Sequence, residues 1–406
     1  MRSILINRRR VPGAMMVALL TIVVLAGTTV GCGPSGSADA PEPIKIGAAG
    51  PYSGPLSKIG LDSLNAIKLA VEEVNNAGGI DGRMVEIVIG DDEASPVKAQ
   101  TVAERFVADP QVFGVIGPMN SNAVRAALSI YDQANLVVIS QSATNSELTD
   151  LGFGAMHRIC PRDEAQGAAA ARFIHEELGA RRISIIDDKG TYGQGLADTV
   201  VSALESLGLD GDDISRYQIA AEDLDFYTLL TNIRSQEVDL IYLALPDPAQ
   251  AAVLLKQMRE LGMENIQVMG GDGLKEREQF ILGAEGAAEG AYITTIGREI
   301  TEVPEAAEFI AAFTERHGEM SAFSGQSYEA TMILLDAISR AAQAGELTRD
   351  AVLQAVHETE GRQGILGFPV SFDERGDVVG GSINILQVHN DSFVEVMAIA
   401  AGQSGE

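Results

Sequence analysis

Cysteine is nearly absent. The two in 406 residues, Cys32 and Cys160, cannot build a disulfide scaffold or a four-cysteine zinc site. Basic residues are also few, 29 Lys and Arg against 57 Asp and Glu, for a net charge of −28. That balance argues against a nucleic-acid binder, whose affinity comes largely from cations on phosphates. It argues equally against a peripheral protein held to anionic lipid by a basic surface. The five His (157, 175, 317, 357 and 389) include no pair at metal-ligand spacing, and each is expected at the surface or at a helix end. There is no GxxxxGK phosphate loop and no GxSxG elbow, and Gly193-Gln194-Gly195 lacks the third glycine of a dinucleotide fingerprint. No cofactor or metal is expected. Cys160 precedes Pro161 at the end of an apolar run and is expected to be a buried, inert thiol.

The N-terminus carries the one long apolar run. Arg8-Arg9-Arg10 precedes a stretch from Ala14 to Gly27, too short to span a bilayer comfortably but suited to a signal peptide. Thr29-Val30-Gly31-Cys32 then resembles a bacterial lipobox, with Thr29 in place of the usual Leu. The resemblance implies cleavage before Cys32 and lipidation of that residue. The leader 1–31 holds four Arg and no acids, so its removal takes the net charge from −28 to −32. Residues 32–43, rich in Gly, Pro, Ser and Ala, read as a flexible tether.

The remainder has a globular composition, 46% hydrophobic and 21% charged, and a length that suggests two domains. Short β-branched runs alternate with amphipathic helices. Strands are expected at 44–49, 85–89, 112–116 and 136–139, with helices at 59–76, 96–108 and 122–133 between them. The alternation repeats after Arg158, with helices at 164–178, 192–207 and 248–261 and strands at 182–186, 240–244 and 266–269. This pattern indicates parallel βαβ units, hence an α/β fold of two doubly wound parallel-sheet halves. After the helix at 327–342 come strand-like runs at 368–372, 383–388 and 393–397. They suggest that the chain returns to complete a sheet laid down earlier.

In such folds ligands bind beyond the carboxyl ends of the strands. Those ends carry small hydroxyls here. Gly117-Pro118-Met119-Asn120-Ser121-Asn122 follows the third strand, with Ser121 expected as a helix N-cap, and Ser140-Gln141-Ser142-Ala143-Thr144 follows the fourth. Hydroxyls and free N–H groups at helix starts suit a carboxylate.

The phrases GPYSG (50–54), NNAGGIDGR (75–83), Ser142-Ala143-Thr144 followed by Glu147-Leu148-Thr149, and DKGTYGQG (188–195) together resemble the type I periplasmic binding proteins of the leucine/isoleucine/valine-binding family. The resemblance runs from Ile44 to about Met397. It implies two α/β lobes joined by three hinge crossings, lobe 1 from 44–163 and 291–369, lobe 2 from 164–290 and 370–402. It also implies a monomeric receptor, not an enzyme, that closes on a small ligand and delivers it to the membrane subunits of an ABC permease. An extracytoplasmic sensor that signals to a partner protein is the alternative. By position, Ser121, Ser142 and Thr144 would grip the ligand backbone, Tyr192 would supply the second lobe's aromatic, and Asp272 would hold an ammonium. Met119 and Phe323 would line the side-chain pocket, and Tyr52 and Ala143 are counted with the site. Ile59 and Pro246 stand where family members often carry aromatics, and Ala94 and Asn120 stand where some carry a disulfide.

Overall fold

The computed structural model describes residues 41–400, so the leader and Cys32 lie outside the described residues. Nine elements alternate from the start: β1 (Ile44–Gly50), α1 (Ser57–Asn76), β2 (Val85–Asp91), α2 (Pro96–Ala108), β3 (Val112–Ile116), α3 (Ser121–Gln133), β4 (Val138–Ser140), the short α4 (Glu147–Asp150) and β5 (Met156–Arg158). The strands are apolar on both faces, as a doubly covered sheet requires: in β1, Ile44, Ile46 and Ala48 are fully buried on one face and Ala49 on the other. They pair in parallel in the order β2-β1-β3-β4-β5. One face packs on α1 through Leu64, Ile67 and Val71, and the other on α2 and α3 through Phe106, Val124 and Leu128. Each such side chain contributes about 1.5–3 kcal/mol by leaving water.

The second sheet repeats the scheme. Its elements are α5 (Asp163–Arg172), β6 (Ile183–Asp187), α6 (Thr191–Ser206), β7 (Ile214–Gln218), α7 (Tyr227–Ser235), β8 (Leu240–Ala244), α8 (Pro248–Glu260), β9 (Gln267–Gly270) and β10 (Tyr292–Ile296). Asp247 shows how local sequence starts a helix here. Its carboxylate accepts from the Ala249 and Gln250 N–H groups, and Pro248 occupies the first turn, where no N–H is needed. The parallel order β7-β6-β8-β9-β10 has the same winding as the first sheet.

The chain then returns to the first lobe as α9 (Ala307–His317), α10 (Ser324–Gln343) and α11 (Arg349–His357), where Ile333, Leu334 and Val352 pack beneath its sheet. The hairpin β11 (Ser382–His389) and β12 (Ser392–Ala400) closes the second sheet, antiparallel to β10. A run expected at the chain's end does therefore complete an earlier sheet.

Two sequence boundaries need correction. Residues 291–296 form β10 of the second sheet rather than part of the first lobe, because Tyr292 and Ile293 pair with β9. Residues 370–378 stay with the first lobe: Val370 is in its core and Asp377 bridges to Arg158. The expected strand at 368–372 is not a strand, since Val370 and Phe372 make only isolated bridges to Arg362 and Val378. The three crossings thus fall just after β5, just after β10 and just before β11. Their residues Cys160, Ile296 and Ile383 are buried together with Ala169, and Phe323 packs against them.

His157 also departs from expectation. It is fully buried on β5, with its Nε2 3.3 Å from Nδ1 of His357 and its ring edge-on to Phe372. Burial, and secondarily His357, push its pKa down to about 4, so it sits in the core as neutral imidazole. Alternation along a strand of only three residues was too short a signal to show this.

Candidate functional site: an inter-lobe cleft

The facing strand ends of the two sheets line a small pocket of about 50 Å³ between the lobes. Pro51, Leu56 and Ile59 line it from the β1–α1 side, Met119, Asn120 and Ser121 from the start of α3, and Ser142 from beyond β4. The second lobe contributes Tyr192, Pro246, Asp272 and Gly273, and Phe323 closes one side. Six residues singled out from sequence therefore meet in one cavity: Met119, Ser121, Ser142, Tyr192, Asp272 and Phe323. Tyr52, Ala143 and Thr144 are not among its lining residues. Tyr52 packs on the first lobe's core, while Ala143 and Thr144 are fully buried just behind Ser142.

The first-lobe wall is a donor surface. Gly117, at φ 89°, turns the chain out of β3, and a Cβ there would lie 2.0 Å from the Ala49 carbonyl oxygen. Helix α3 begins one residue earlier than expected: Asn120 is the cap and Ser121 the first helical residue. The Ser121 hydroxyl accepts from the Asn145 N–H at 3.4 Å, which leaves its own proton to donate. The Ser142 hydroxyl donates to the Met119 carbonyl at 3.0 Å. Among the described residues, the backbone N–H groups of Ser142 and Thr144 have no protein acceptor.

A buried guanidinium sets this loop. Arg158, with no exposed side-chain surface, donates from Nη1 to the carbonyls of Ala143 (2.9 Å) and Asn145 (2.7 Å), and from Nη2 to the Thr149 hydroxyl (2.7 Å). Its Nε holds Asp377 at 2.5 Å. In a trans peptide C=O and N–H point to opposite sides. Fixing the Ala143 carbonyl on Arg158 therefore directs the Thr144 N–H the other way.

The second-lobe wall is acidic. Asp272 is buried, and its Oδ1 accepts from the Tyr192 hydroxyl (2.7 Å) and from Gln166 Nε2 (2.9 Å). The close approach requires glycine beside it, because a Cβ on Gly271 would lie 2.5 Å from the Tyr192 hydroxyl oxygen. Gln166 Nε2 also reaches Asp163 Oδ1 at 3.1 Å, so one amide bridges two carboxylates. Asp163 is fully buried at the start of α5. Its Oδ2 has no hydrogen-bond partner, and neither has Thr144 Oγ1. The two lie close enough for the hydroxyl to favour the carboxylate, yet outside good hydrogen-bond geometry. Burial, then the Asp272 charge, raises the Asp163 pKa from its ordinary 3.8 to about 7, and burial raises that of Asp272 as well. Sequence reading missed Asp163, although its position at the entry to the first second-lobe helix was a usable signal.

Phe323, immediately before α10, has left-handed backbone (φ 68°), which an aromatic residue adopts only where its surroundings enforce it. Its ring region is shared with a wider groove lined in part by Lys58, Lys275 and Arg298. Among the described residues no group of His, Cys, Asp and Glu could hold a metal ion, and no helix is long and apolar enough to cross a membrane.

Two hinged α/β lobes around a cleft with hydroxyl and N–H donors on one wall and carboxylates on the other define a small-molecule receptor. Comparison with known proteins gives the same class. Residues 43–392 match the family model described as periplasmic binding protein. The chain is 32% identical over 334 residues to Leu/Ile/Val-binding protein homolog 1 of Brucella abortus, covering 82% of this chain and 87% of that one. Among solved structures, the leucine-binding protein LivK of Thermotoga maritima superposes with a TM-score of 0.80 at 28% identity, over 88% of this chain and 98% of that one. The branched-chain amino acid transporter substrate-binding protein LivJ of Streptococcus pneumoniae, solved with isoleucine, gives 0.77 at 25%, over 88% and 99%. The chain belongs to the periplasmic binding protein family, as a type I member of its Leu/Ile/Val-binding group. Membership makes it a solute-binding receptor and implies an extracytoplasmic location.

Proposed function

We propose that the protein captures an α-amino acid with a small uncharged side chain and delivers it to the membrane subunits of an ABC permease. The observation that carries this reading is the polarity of the cleft. Ser121, the free N–H groups of Ser142 and Thr144 and the start of α3 offer donors to a carboxylate. Asp272 lines the pocket and offers negative charge to an ammonium, with Asp163 joined behind it through the Gln166 amide. Each charge-assisted bond of this kind contributes about 1.5–3 kcal/mol. Between them Pro51, Leu56, Ile59, Met119 and Pro246 form an aliphatic wall. The leucine-binding protein LivK, the isoleucine complex of LivJ and the Leu/Ile/Val-binding protein homolog of Brucella abortus support the same class. Closure of the lobes is the signal that the permease reads, and lipidation at Cys32 tethers the receptor near it.

Thermal unfolding tests the reading. A ligand that binds only the native state at 100 times its Kd stabilises it by about 2.7 kcal/mol. We expect a raised Tm with one or more amino acids, no shift with the matching amine or carboxylic acid alone, and loss of the shift in Asp272→Asn with the apo transition still cooperative. No shift with any amino acid overturns the proposal.

A further inference from the structure

Asn120 is the cap residue of α3, and Asn is among the residues that cap best, because its side-chain oxygen accepts from an N–H of the first turn. Here it makes no such bond. Its backbone is in the extended region usual for a cap (φ −90°, ψ 138°), so the geometry of the chain does not forbid one. Among the described residues the side chain has no hydrogen-bond partner at all, and Oδ1 is buried without one. The residue nevertheless lines the inter-lobe pocket, between Met119 and Ser121. A buried carbonyl left unsatisfied costs about 1–3 kcal/mol, a cost that a cap bond would have removed. A primary amide released from capping, seated in the pocket wall between Met119 and Ser121 and short of a partner, can take one from the ligand.

We propose that Asn120 reads the ligand's side chain, and that it favours a side chain bearing an uncharged hydrogen-bonding group, such as a hydroxyl, over its aliphatic isostere. This rests on the amino-acid reading above and narrows it. The carboxylate and ammonium already have partners in Ser121, the loop N–H groups and Asp272, so the amide falls to the remaining part of the ligand. A carboxamide supplies a donor and an acceptor together, so it can pair with a hydroxyl in either direction. A site built to hydrogen-bond a substrate hydroxyl discriminates strongly against the analogue that lacks it, because its own polar group is then left unpaired.

L-threonine and L-valine are the probes, since they have nearly the same shape and differ by hydroxyl against methyl. Their Kd values are measured by calorimetry on the wild type, Asn120→Leu and Asn120→Ser. We expect Asn120→Leu to lower threonine affinity relative to valine by tenfold or more, and Asn120→Ser to retain part of the preference. Cooperative apo unfolding of each variant shows that the fold survives. If the wild type binds both ligands and their ratio moves by less than twofold in Asn120→Leu, the assignment of Asn120 is wrong while the amino-acid reading stands. If the wild type binds neither threonine nor valine nor any other amino acid, the amino-acid reading fails and takes this inference with it.

Discussion

Asp163 shows how much one buried side chain can govern. Its pKa of about 7 means that in the empty cleft it holds a proton over much of the mildly acidic range. An ammonium on Asp272, which Gln166 bridges to Asp163, favours the ionised form of the pair, so below pH 7 ligand binding should expel that proton. Affinity should therefore weaken as pH falls, by up to tenfold per unit between pH 7 and 5. Asp163→Asn should flatten that slope, which calorimetry in buffers of different ionisation enthalpy will show together with the proton release. Apo stability carries the opposite sign. Between its ordinary 3.8 and about 7 the folded chain holds more proton at this group than the unfolded chain does. The contribution is present in full below that window and is lost as pH rises through it. Asp163→Asn should accordingly raise the apo Tm more at pH 8 than at pH 5. An unchanged pH slope of Kd would remove Asp163 from the site.

At the scale of elements, the loop after β4 depends on Arg158, which ties two of its carbonyls to Asp377 on the far segment before the third crossing. Arg158→Leu would leave those acceptors unpaired in the interior. Removing one partner of a buried ion pair costs about 3–5 kcal/mol, and Arg162, which also reaches Asp377 at 3.1 Å, should keep the loss toward the lower figure. We expect that loss in urea unfolding, and a weaker Kd because the Thr144 N–H is no longer directed. Arg158→Lys should keep a charge but lose the fork, and so restore only part of either. None of this was visible in the sequence, where Arg158 marked only the point at which the pattern repeats. α2 and β3, with clear patterns bounded by Pro or Gly, were legible to the residue, and the hydroxyl-rich loop was legible as a segment that puts Ser142 at the inter-lobe pocket. β5 was missed because three residues carry too little alternation, and β7 because its sequence Ile214-Ser215-Arg216-Tyr217-Gln218 is polar and none of it is buried. β10 and the segment 370–378 were misplaced because which lobe a piece joins is decided by contacts far along the chain.

On the scale of the whole molecule, the lobes meet through a few directional contacts rather than a broad apolar face. The start of α6 is clasped by the first lobe: Asn122 Oδ1 accepts from the Thr191 N–H at 2.6 Å, and Asn145 Nδ2 donates to the Thr191 carbonyl at 2.8 Å. Gln279 adds a bond to the Pro55 carbonyl at 3.2 Å. Two hydrogen bonds of about 0.5–1.5 kcal/mol each cannot hold the lobes together against solvent on their own, but they suffice to bias an equilibrium that ligand contacts also favour. The clasp is therefore a latch, whose free energy appears in ligand affinity through the closed population. Asn122→Ala and Asn145→Ala should each weaken binding by about three- to tenfold, and the double variant by more, with the apo Tm nearly unchanged in Asn122→Ala and lowered in Asn145→Ala, because Asn145 is buried and also accepts from the Glu147 N–H at 3.0 Å. Small-angle scattering should report a smaller radius of gyration on ligand addition in the wild type, and in the double variant the same compaction only at higher ligand concentration. If the double variant binds as tightly as the wild type, closure does not run through Thr191. If it never compacts although it binds, the latch is what closes the lobes and the ligand alone is not enough.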